Sequence, residues 1–371
     1  MEGHLPKRVL QVIGSLGLGG AEAMITNIYR ALDHNQVQFD FVVFEEDTGG
    51  FEADVRSLGG RVIRTASPSR GHAATFVRAL TRLIQENGPY VAVHSHVNFA
   101  SAPVLLAAAI TGVPCRVAHA HIAGPAQQSL SQFAYTRTSR IVLARTATDF
   151  LGCGQLAGRY VFGRRWKSHG RVIPNAIDVD RFANAPSDST LRDRLGIAQD
   201  ALFLGSIARL SPQKNHAFLL ELMASPAMND LPAHLAIVGR GELQTALERK
   251  IDKLGIRDRV HLVGPRHDIP SVMKTLDYMI LPSLYEGLPV VLVEAQAALL
   301  PSLVSNHVTT EVDLGLGLVE YLPLDLDAWV KRLQAPKPNI PTHNEVLAAL
   351  QGGGYVVDRS VDELLRVYGL A

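Results

Sequence analysis

Pro282-Ser283-Leu284-Tyr285-Glu286-Gly287-Leu288-Pro289-Val290-Val291-Leu292-Val293-Glu294-Ala295 follows an apolar run, Tyr278 to Leu281, that reads as a buried strand. The stretch then reads as a helix. Pro289 suits the first helical turn, where a missing N–H is no loss. Glu286 stands at the mouth of the turn and Glu294 inside the helix, eight residues on. At the helical rise that separation is about 12 Å, the span from a nucleotide's ribose to a sugar joined through a diphosphate. Between the glutamates lie the free N–H groups of a helix start, an anion site. The plain alternative is a buried helix with one surface Glu and one capped Glu, since helix starts favour acids.

Strand, turn and helix recur on both sides of this stretch. Val9 to Ile13 is a short apolar strand, followed by four glycines between Gly14 and Gly20 and a helical pattern from Ala21 to Leu32. That opening is typical of a doubly wound α/β domain. Further strands are expected at Phe39–Phe44, Arg61–Arg64, Val91–His94, Cys115–Ala120 and Arg140–Ala144, with helices at Ala73–Glu86 and Ala100–Ile110. Residues 175–189 read as a linker, rich in Asp, Pro, Asn and Ser. The alternation then restarts, with strands at Leu202–Ile207, Leu235–Val238, Val260–Val263, Tyr278–Leu281 and Ser302–Ser305. Helices are expected at Ala217–Ala224, Leu243–Leu254, Ile269–Thr275 and Val290–Leu299. The expected fold class is α/β, with two Rossmann-like domains of parallel strands. Residues 1–173 form the first, 174–355 the second, and an amphipathic tail at about 356–371 crosses back onto the first.

Bulk composition fits this reading. The chain has 371 residues, 47% of them hydrophobic and 19% charged, with a formal net charge of +1. It is long enough for two domains, and nothing global points to nucleic acid. Two cysteines allow neither a disulfide framework nor a Cys-rich metal site. Met1 to Arg8 lacks the apolar core of a signal peptide, and Phe99 to Ile110 is too short to span a bilayer. A cytoplasmic location is expected, with peripheral contact at the inner face of the membrane. Tyr135 to Arg171 carries eight basic residues against one acid, Asp149, with Phe162 and Trp166 among them. Such a segment suits an anionic lipid surface or an acidic acceptor; a solvated helical face is the alternative.

Several turns carry groups that chemistry could use. Gly17-x-Gly19 lacks the third glycine of a dinucleotide fingerprint, because position 22 is Glu; Glu45 and Glu46 follow the next strand. Close backbone approach to a phosphate or sugar is the better use of that turn. Arg209 and Lys214 stand after the first strand of the second domain, where two cations could neutralise a leaving diphosphate without a metal. Gly239 and Gly241 open another strand-turn-helix, which could line a nucleotide pocket or simply pack closely. Arg266 and His267 lie in a turn that could border a base. His94, His96, His119 and His121 cluster at two strand ends, alternate residues pointing one way. Hydrogen bonding to a sugar hydroxyl is preferred there over a metal site. Asp178-Val179-Asp180 reads as structural.

Together these residues resemble the retaining glycosyltransferases of family 4, in the branch acting in exopolysaccharide and capsule assembly. The resemblance covers nearly the whole chain and implies the GT-B fold, two facing Rossmann-like domains around a cleft. Glu286 and Glu294 look like that family's two-glutamate motif. Gly19-Gly20 resembles its glycine pair near the donor phosphate. Arg209 and Lys214 match its diphosphate contacts, and Asn175-Ala176-Ile177-Asp178 its interdomain Asn-Gly-Ile-Asp. The resemblance implies that Glu294 binds ribose hydroxyls and Glu286 the sugar hydroxyls near C3 and C4. Backbone N–H groups from Leu288 through Val290 and Val291 would hold phosphate. His121 best matches the active-site His, with His119 its neighbour. The implied donor is a nucleotide diphosphate sugar, uridine-linked by expectation, and the acceptor a glycan or lipid-linked sugar. No metal or other cofactor is implied. Alternatives are a nucleotide-sugar epimerase on a similar fold, a non-catalytic sugar-nucleotide binding subunit and, last, a nicotinamide oxidoreductase.

Overall fold

The computed structural model describes residues 5–17, 19–45, 50–67, 73–122 and 129–371. Leu18 of the glycine turn, Glu46 and residues 1–4 lie outside them. The chain divides into two compact units. One comprises the residues up to Ile177 together with Gly354–Ala371, the other Asp178–Gly353.

The first unit holds β1 (Lys7–Val12), β2 (Val37–Val43), β3 (Arg61–Arg64), β4 (Ala92–Ser95), β5 (Cys115–Ala120), β6 (Asp149–Gly152) and β7 (Gly170–Val172). They form one sheet in the order β3-β2-β1-β4-β5-β6-β7, every pair parallel. The strands are apolar on both faces because helices cover both. The helix Val357–Tyr368 belongs to this unit, where Val361, Leu364 and Tyr368 enter the core beside Ile25, Phe39 and Val117. Burial of each such side chain contributes about 2 kcal/mol.

Residues 140–144, read above as a strand, lie instead inside the helix Leu130–Thr146. Ser129 starts that helix with a capping box, accepting from the Gln132 N–H and donating its own N–H to the Gln132 side chain. The buried side of the helix includes Thr136, Ser139 and Thr146 as well as Leu143. A polar buried stripe hides the helical period from an apolar-pattern reading.

The second unit holds β8 (Leu202–Ile207), β9 (Ala233–Val238), β10 (Val260–Gly264), β11 (Tyr278–Leu281), β12 (Ser302–Ser305) and β13 (Val319–Leu322). Their order is β10-β9-β8-β11-β12-β13, again all parallel. Asp178 caps the short helix Val179–Ala183 by accepting from the Arg181 N–H at 3.0 Å. That is the structural role expected of Asp178-Val179-Asp180. Among the described residues, no helix is long and apolar enough to cross a membrane.

Each sheet reverses its strand order once. The reversal falls between β1 and β4 in the first unit and between β8 and β11 in the second. The loops leaving the carboxyl ends of those strands are where open α/β sheets bind ligands. They carry Gly19 and His96 in one unit, and Arg209, Lys214 and Glu286 in the other.

Candidate active site

In the second unit, Lys214 and Glu286 come together across the strand-order reversal. Lys214 Nζ lies 2.5 Å from Glu286 Oε1, and both side chains are mostly buried, at 17% and 7% exposure. Gln213, which the sequence reading passed over, holds the other side. Its amide donates to Glu286 Oε2 at 3.2 Å and to the Tyr285 carbonyl at 2.8 Å. The Gln213 carbonyl accepts from the Leu284 N–H at 2.9 Å, and the Asn215 amide donates to Pro282. Asn215 adopts a left-handed backbone, φ 51°, where Asn is among the residues best tolerated. The β8 loop and the β11 loop are thus sewn together, and Glu286 is fixed at a single place.

Glu286 precedes the helix rather than lying on it. The helix runs Val290–Ala297 with Pro289 at its cap, so the helical rise spans only Val290 to Glu294. The first N–H groups of that helix have no partner within it. Glu294 sits in the helix, and burial raises its carboxyl to about 7, with Arg181 opposing the shift. Buried hydroxyls of Ser206 and Ser283 and both ring nitrogens of His216 find no hydrogen-bond partner. All three residues are within three positions of Arg209, Glu286 or Lys214 in the chain. Buried polar atoms of this kind are costly unless a ligand or water meets them.

The two cations differ. Lys214 is neutralised by Glu286, whereas Arg209 is 75% exposed and reaches only the edge of Glu242, at 3.5 Å. Arg266 is committed elsewhere, to Asp188 at 2.8 Å and to Asp268. The exposed His267 offers its carbonyl to Arg181. Gly239 has φ 142°, and a Cβ there would stand 2.1 Å from the Ala208 carbonyl. Gly241 meets Leu210 in the same way, at 2.3 Å. These glycines let the β9 loop press against the Arg209 loop and so set its course.

In the first unit, Gly19 caps the helix Gly20–Ala31, and a Cβ on it would fall 2.3 Å from the Glu22 carboxylate. The four histidines form a two-by-two array on β4 and β5. His94 Nε2 meets His119 Nδ1 at 3.2 Å, and His96 Nδ1 meets His121 Nε2 at 2.9 Å. Along each strand the rings lie 4.1 and 4.2 Å apart. Burial pushes His94 and His121 down to about 3 and holds His96 and His119 well below the usual range. All four are therefore neutral at pH 7. His94, His96 and His119 are buried and bond to one another or to Gln11 and Tyr368, not to open space. Burial removes His94, His96 and His119 from the contact with a sugar hydroxyl expected of the group; His121 alone of the four keeps partial exposure. One nitrogen each of His94, His96 and His119 falls within 4.8 Å of the others, close enough to ligate a metal, but both nitrogens of His94 and His96 are already in hydrogen bonds.

Comparison with known proteins adds a line of evidence independent of this geometry. Residues 18–181 match the model of glycosyltransferase family 4, and 187–313 that of glycosyl transferases group 1. The chain is 38% identical to EpsF of Bacillus subtilis strain 168, provisionally named a glycosyltransferase, over 98% of this chain and 97% of that one. The chain belongs to the family 4 glycosyltransferases.

This glycosyltransferase is also 32% identical to UDP-Gal:alpha-D-GlcNAc-diphosphoundecaprenol alpha-1,3-galactosyltransferase of Escherichia coli, over 58% of each chain. Among solved structures, Anabaena Alr3699/HepE in complex with UDP and glucose superposes with a TM-score of 0.78 at 21% identity, covering 98% and 100% of the two chains. WaaG, a glycosyltransferase involved in lipopolysaccharide biosynthesis, gives 0.66 at 16%, over 98% and 97%. The fold of this glycosyltransferase is GT-B.

The basic segment is rearranged relative to the sequence reading. Phe162 and Trp166 are buried, and Trp166 is clasped between Gly158 and Gly170, where a Cβ would stand 2.3 and 2.2 Å away. Arg140 lies over the Phe99 ring and donates to the Val161 carbonyl. Neither aromatic can meet a partner. The exposed apolar side chains of this region are instead Leu130, Phe133, Ile141 and Leu156.

Proposed function

We propose that this glycosyltransferase moves a sugar from a UDP-linked donor to a glycan or lipid-linked acceptor in cell-surface polysaccharide assembly, with retention at the anomeric carbon and without a metal. The observation that carries this is the Lys214–Glu286 pair, fixed by Gln213 at the strand-order reversal and followed directly by a helix start. Glu286 accepts from the donor sugar's hydroxyls near C3 and C4, and Glu294 from the ribose. The N–H groups of Leu288 to Val291 hold phosphate. As the anomeric carbon–oxygen bond breaks, Arg209 and Lys214 balance the charge gathering on the diphosphate. The acceptor hydroxyl attacks from the face the diphosphate leaves, and a phosphate oxygen takes its proton. Carbon at the transition state has oxocarbenium character. The E. coli relative is named for a UDP-galactose donor and a diphosphoundecaprenol acceptor, which supports both choices. A thermal-shift series over UDP-, GDP- and ADP-sugars is expected to give its largest rise with a UDP-sugar, equivalent to about 2.7 kcal/mol at a hundredfold excess over Kd. No rise with any nucleotide sugar overturns the reading. Product analysis with and without acceptor separates transfer from epimerisation, and absence of any turnover marks a binding subunit.

Membrane docking at the cytoplasmic face belongs to the same proposal. On the helix Leu130–Thr146, Leu130, Phe133, Arg137, Ile141 and Arg145 are exposed and recur at helical spacing, so apolar and cationic groups share one stripe. Near an anionic surface each Arg contributes about 1 kcal/mol. The chain is expected to sediment with phosphatidylglycerol vesicles and not with phosphatidylcholine ones. Phe133→Ser with Ile141→Ser should release it. Equal sedimentation with both lipids, or with neither, overturns this.

A further inference from the structure

The histidine array does not end on itself. Tyr368 Oη lies 2.7 Å from His94 Nδ1, and the Gln11 amide donates to the same oxygen at 3.2 Å. The other end of that amide, Gln11 Oε1, lies 3.0 Å from His96 Nε2. One unbroken chain therefore runs His119, His94, Tyr368, Gln11, His96, His121. It joins β5, β4, β1 and the last helix of the protein. At one end the peptide group of Ile173 faces His119; at the other the Asn175 side chain stands beside His121.

Every proton in this chain can be placed. An amide oxygen only accepts, so His96 carries its proton on Nε2. His96 Nδ1 is then a lone pair, and His121 must donate to it from Nε2. On the other branch Tyr368 already accepts from Gln11, so its own O–H goes to His94 Nδ1. His94 then donates from Nε2 to His119 Nδ1, which leaves the His119 proton on Nε2. The Ile173 carbonyl beside His119 also only accepts. It suits a proton on His119 Nε2 and opposes the reversed chain, which would set a lone pair against it. Gln11 Oε1 thus sets the direction; His119 Nε2 is buried with no hydrogen-bond partner in reach, and the Ile173 carbonyl is the acceptor nearest to it.

We infer that Gln11 and Tyr368 impose a single tautomeric order on the four histidines, holding His121 as the Nε2–H form with its buried Nδ1 lone pair turned to the Asn175 side chain, whose amide then donates to it. Gln11, His94, His96, His119 and Tyr368 are positioning residues in this arrangement; His121 is the group they aim. Its backbone is pinned as well, since the His121 N–H donates to Asn98 Oδ1 at 2.9 Å. The role of His121 toward substrate rests on the proposed transfer reaction, whereas the tautomeric order stands without it.

The test is a long-range proton–nitrogen spectrum of the full chain labelled with ¹⁵N-histidine. Of its 14 histidines, the four in the array are each assigned by the loss of one signal set in a single His→Gln variant. All four are expected as Nε2–H. Gln11→Glu replaces the amide by a group that only accepts, so Tyr368 must turn its O–H toward it. His94 and His119 should then switch to Nδ1–H, while His96 and His121 stay as they were. Should that variant fail to fold, Tyr368→Phe removes the hydroxyl alone. His94 and His119 then lose their fixed order, and His96 with His121 keep theirs. In turnover, Gln11→Leu is expected to lower kcat about tenfold, the loss of one hydrogen bond's worth of positioning, with donor KM within about twofold. Gln11→Glu should recover most of kcat, because it still accepts from His96. Nδ1–H forms or tautomer mixtures in the unaltered protein overturn the inference, and so does a Gln11→Glu spectrum in which His94 and His119 are unmoved. Ordered tautomers in a protein that transfers no sugar would instead remove the proposed reaction and leave the order standing.

Discussion

Glu286→Gln is expected to lower kcat/KM by roughly 10²–10³-fold while the unit around it stays folded. Gln keeps the shape of Glu and removes its charge. Two explanations of such a loss must be separated, because Glu286 touches Lys214 as well as the proposed sugar. If Glu286 served only to balance Lys214, the variant would leave a lysine poorly compensated in a mostly buried place, at a cost of about 3–5 kcal/mol in stability. Changing both residues, Glu286→Gln with Lys214→Met, would then restore stability and turnover together. The proposed mechanism gives a different outcome. Stability returns in the double variant, but turnover remains at or below that of either single change, because sugar and diphosphate contacts are both gone. Initial rates and thermal unfolding of the three variants decide it. Near-normal turnover in Glu286→Gln, or in the double variant, removes Glu286 from the reaction.

Both residues of that pair are legible in the sequence, one after each strand at the reversal. Their contact is not, because nothing in a separation of 72 positions fixes the direction in which either loop turns. Gln213 is invisible for the same reason: its neighbours Pro212 and Lys214 draw the eye, and its value lies in reaching Glu286 and Tyr285 at once. The sheets themselves are largely readable. Arg61–Arg64, Cys115–Ala120, Leu202–Ile207, Tyr278–Leu281 and Ser302–Ser305 are found at the residues expected, since apolar strands between turns leave little choice. Short strands at or next to a sheet edge are harder. Asp149–Gly152, Gly170–Val172 and Val319–Leu322 have three or four residues each, too few to show a period. The histidines were conspicuous as a group. Their purpose was hidden because the residues that organise them, Gln11 and Tyr368, stand 357 positions apart and carry no motif.

Acid should open the first unit before the second. In the first unit four histidines are neutral when folded, with His94 and His121 held at about 3 and His96 and His119 well down, all by burial, to which repulsion from the other rings adds at His94, His96 and His119. In an unfolded chain each titrates near 6.5. Below that pH the unfolded state binds more protons, so stability is full above about 6.5 and falls as pH falls. At pH 5 His94 and His121 have each withdrawn about 2 kcal/mol, a large share of a typical total of 5–15 kcal/mol, and His96 and His119 act in the same direction. Burial pushes Asp40 up, but hydrogen bonds from Arg8, Arg61 and Tyr90 outweigh it and leave its carboxyl lowered. Its contribution is lost only at still lower pH, so the histidines act first. The second unit balances differently. Burial lowers His216 to about 4, which weakens the fold as pH drops below 6.5. Burial raises Glu294 to about 7, so between 7 and the ordinary carboxylate range the folded state takes up the extra proton and gains stability. The two effects oppose each other over the same interval. Amide hydrogen exchange at pH 7.5, 6 and 5, corrected for the intrinsic rate, is expected to show protection falling in peptides from β4 and β5 while β8 and β11 hold. Equal loss in both units, or full protection of β4 and β5 at pH 5, would mean that the array tolerates protons, and that its rings are not confined as neutral links of one chain.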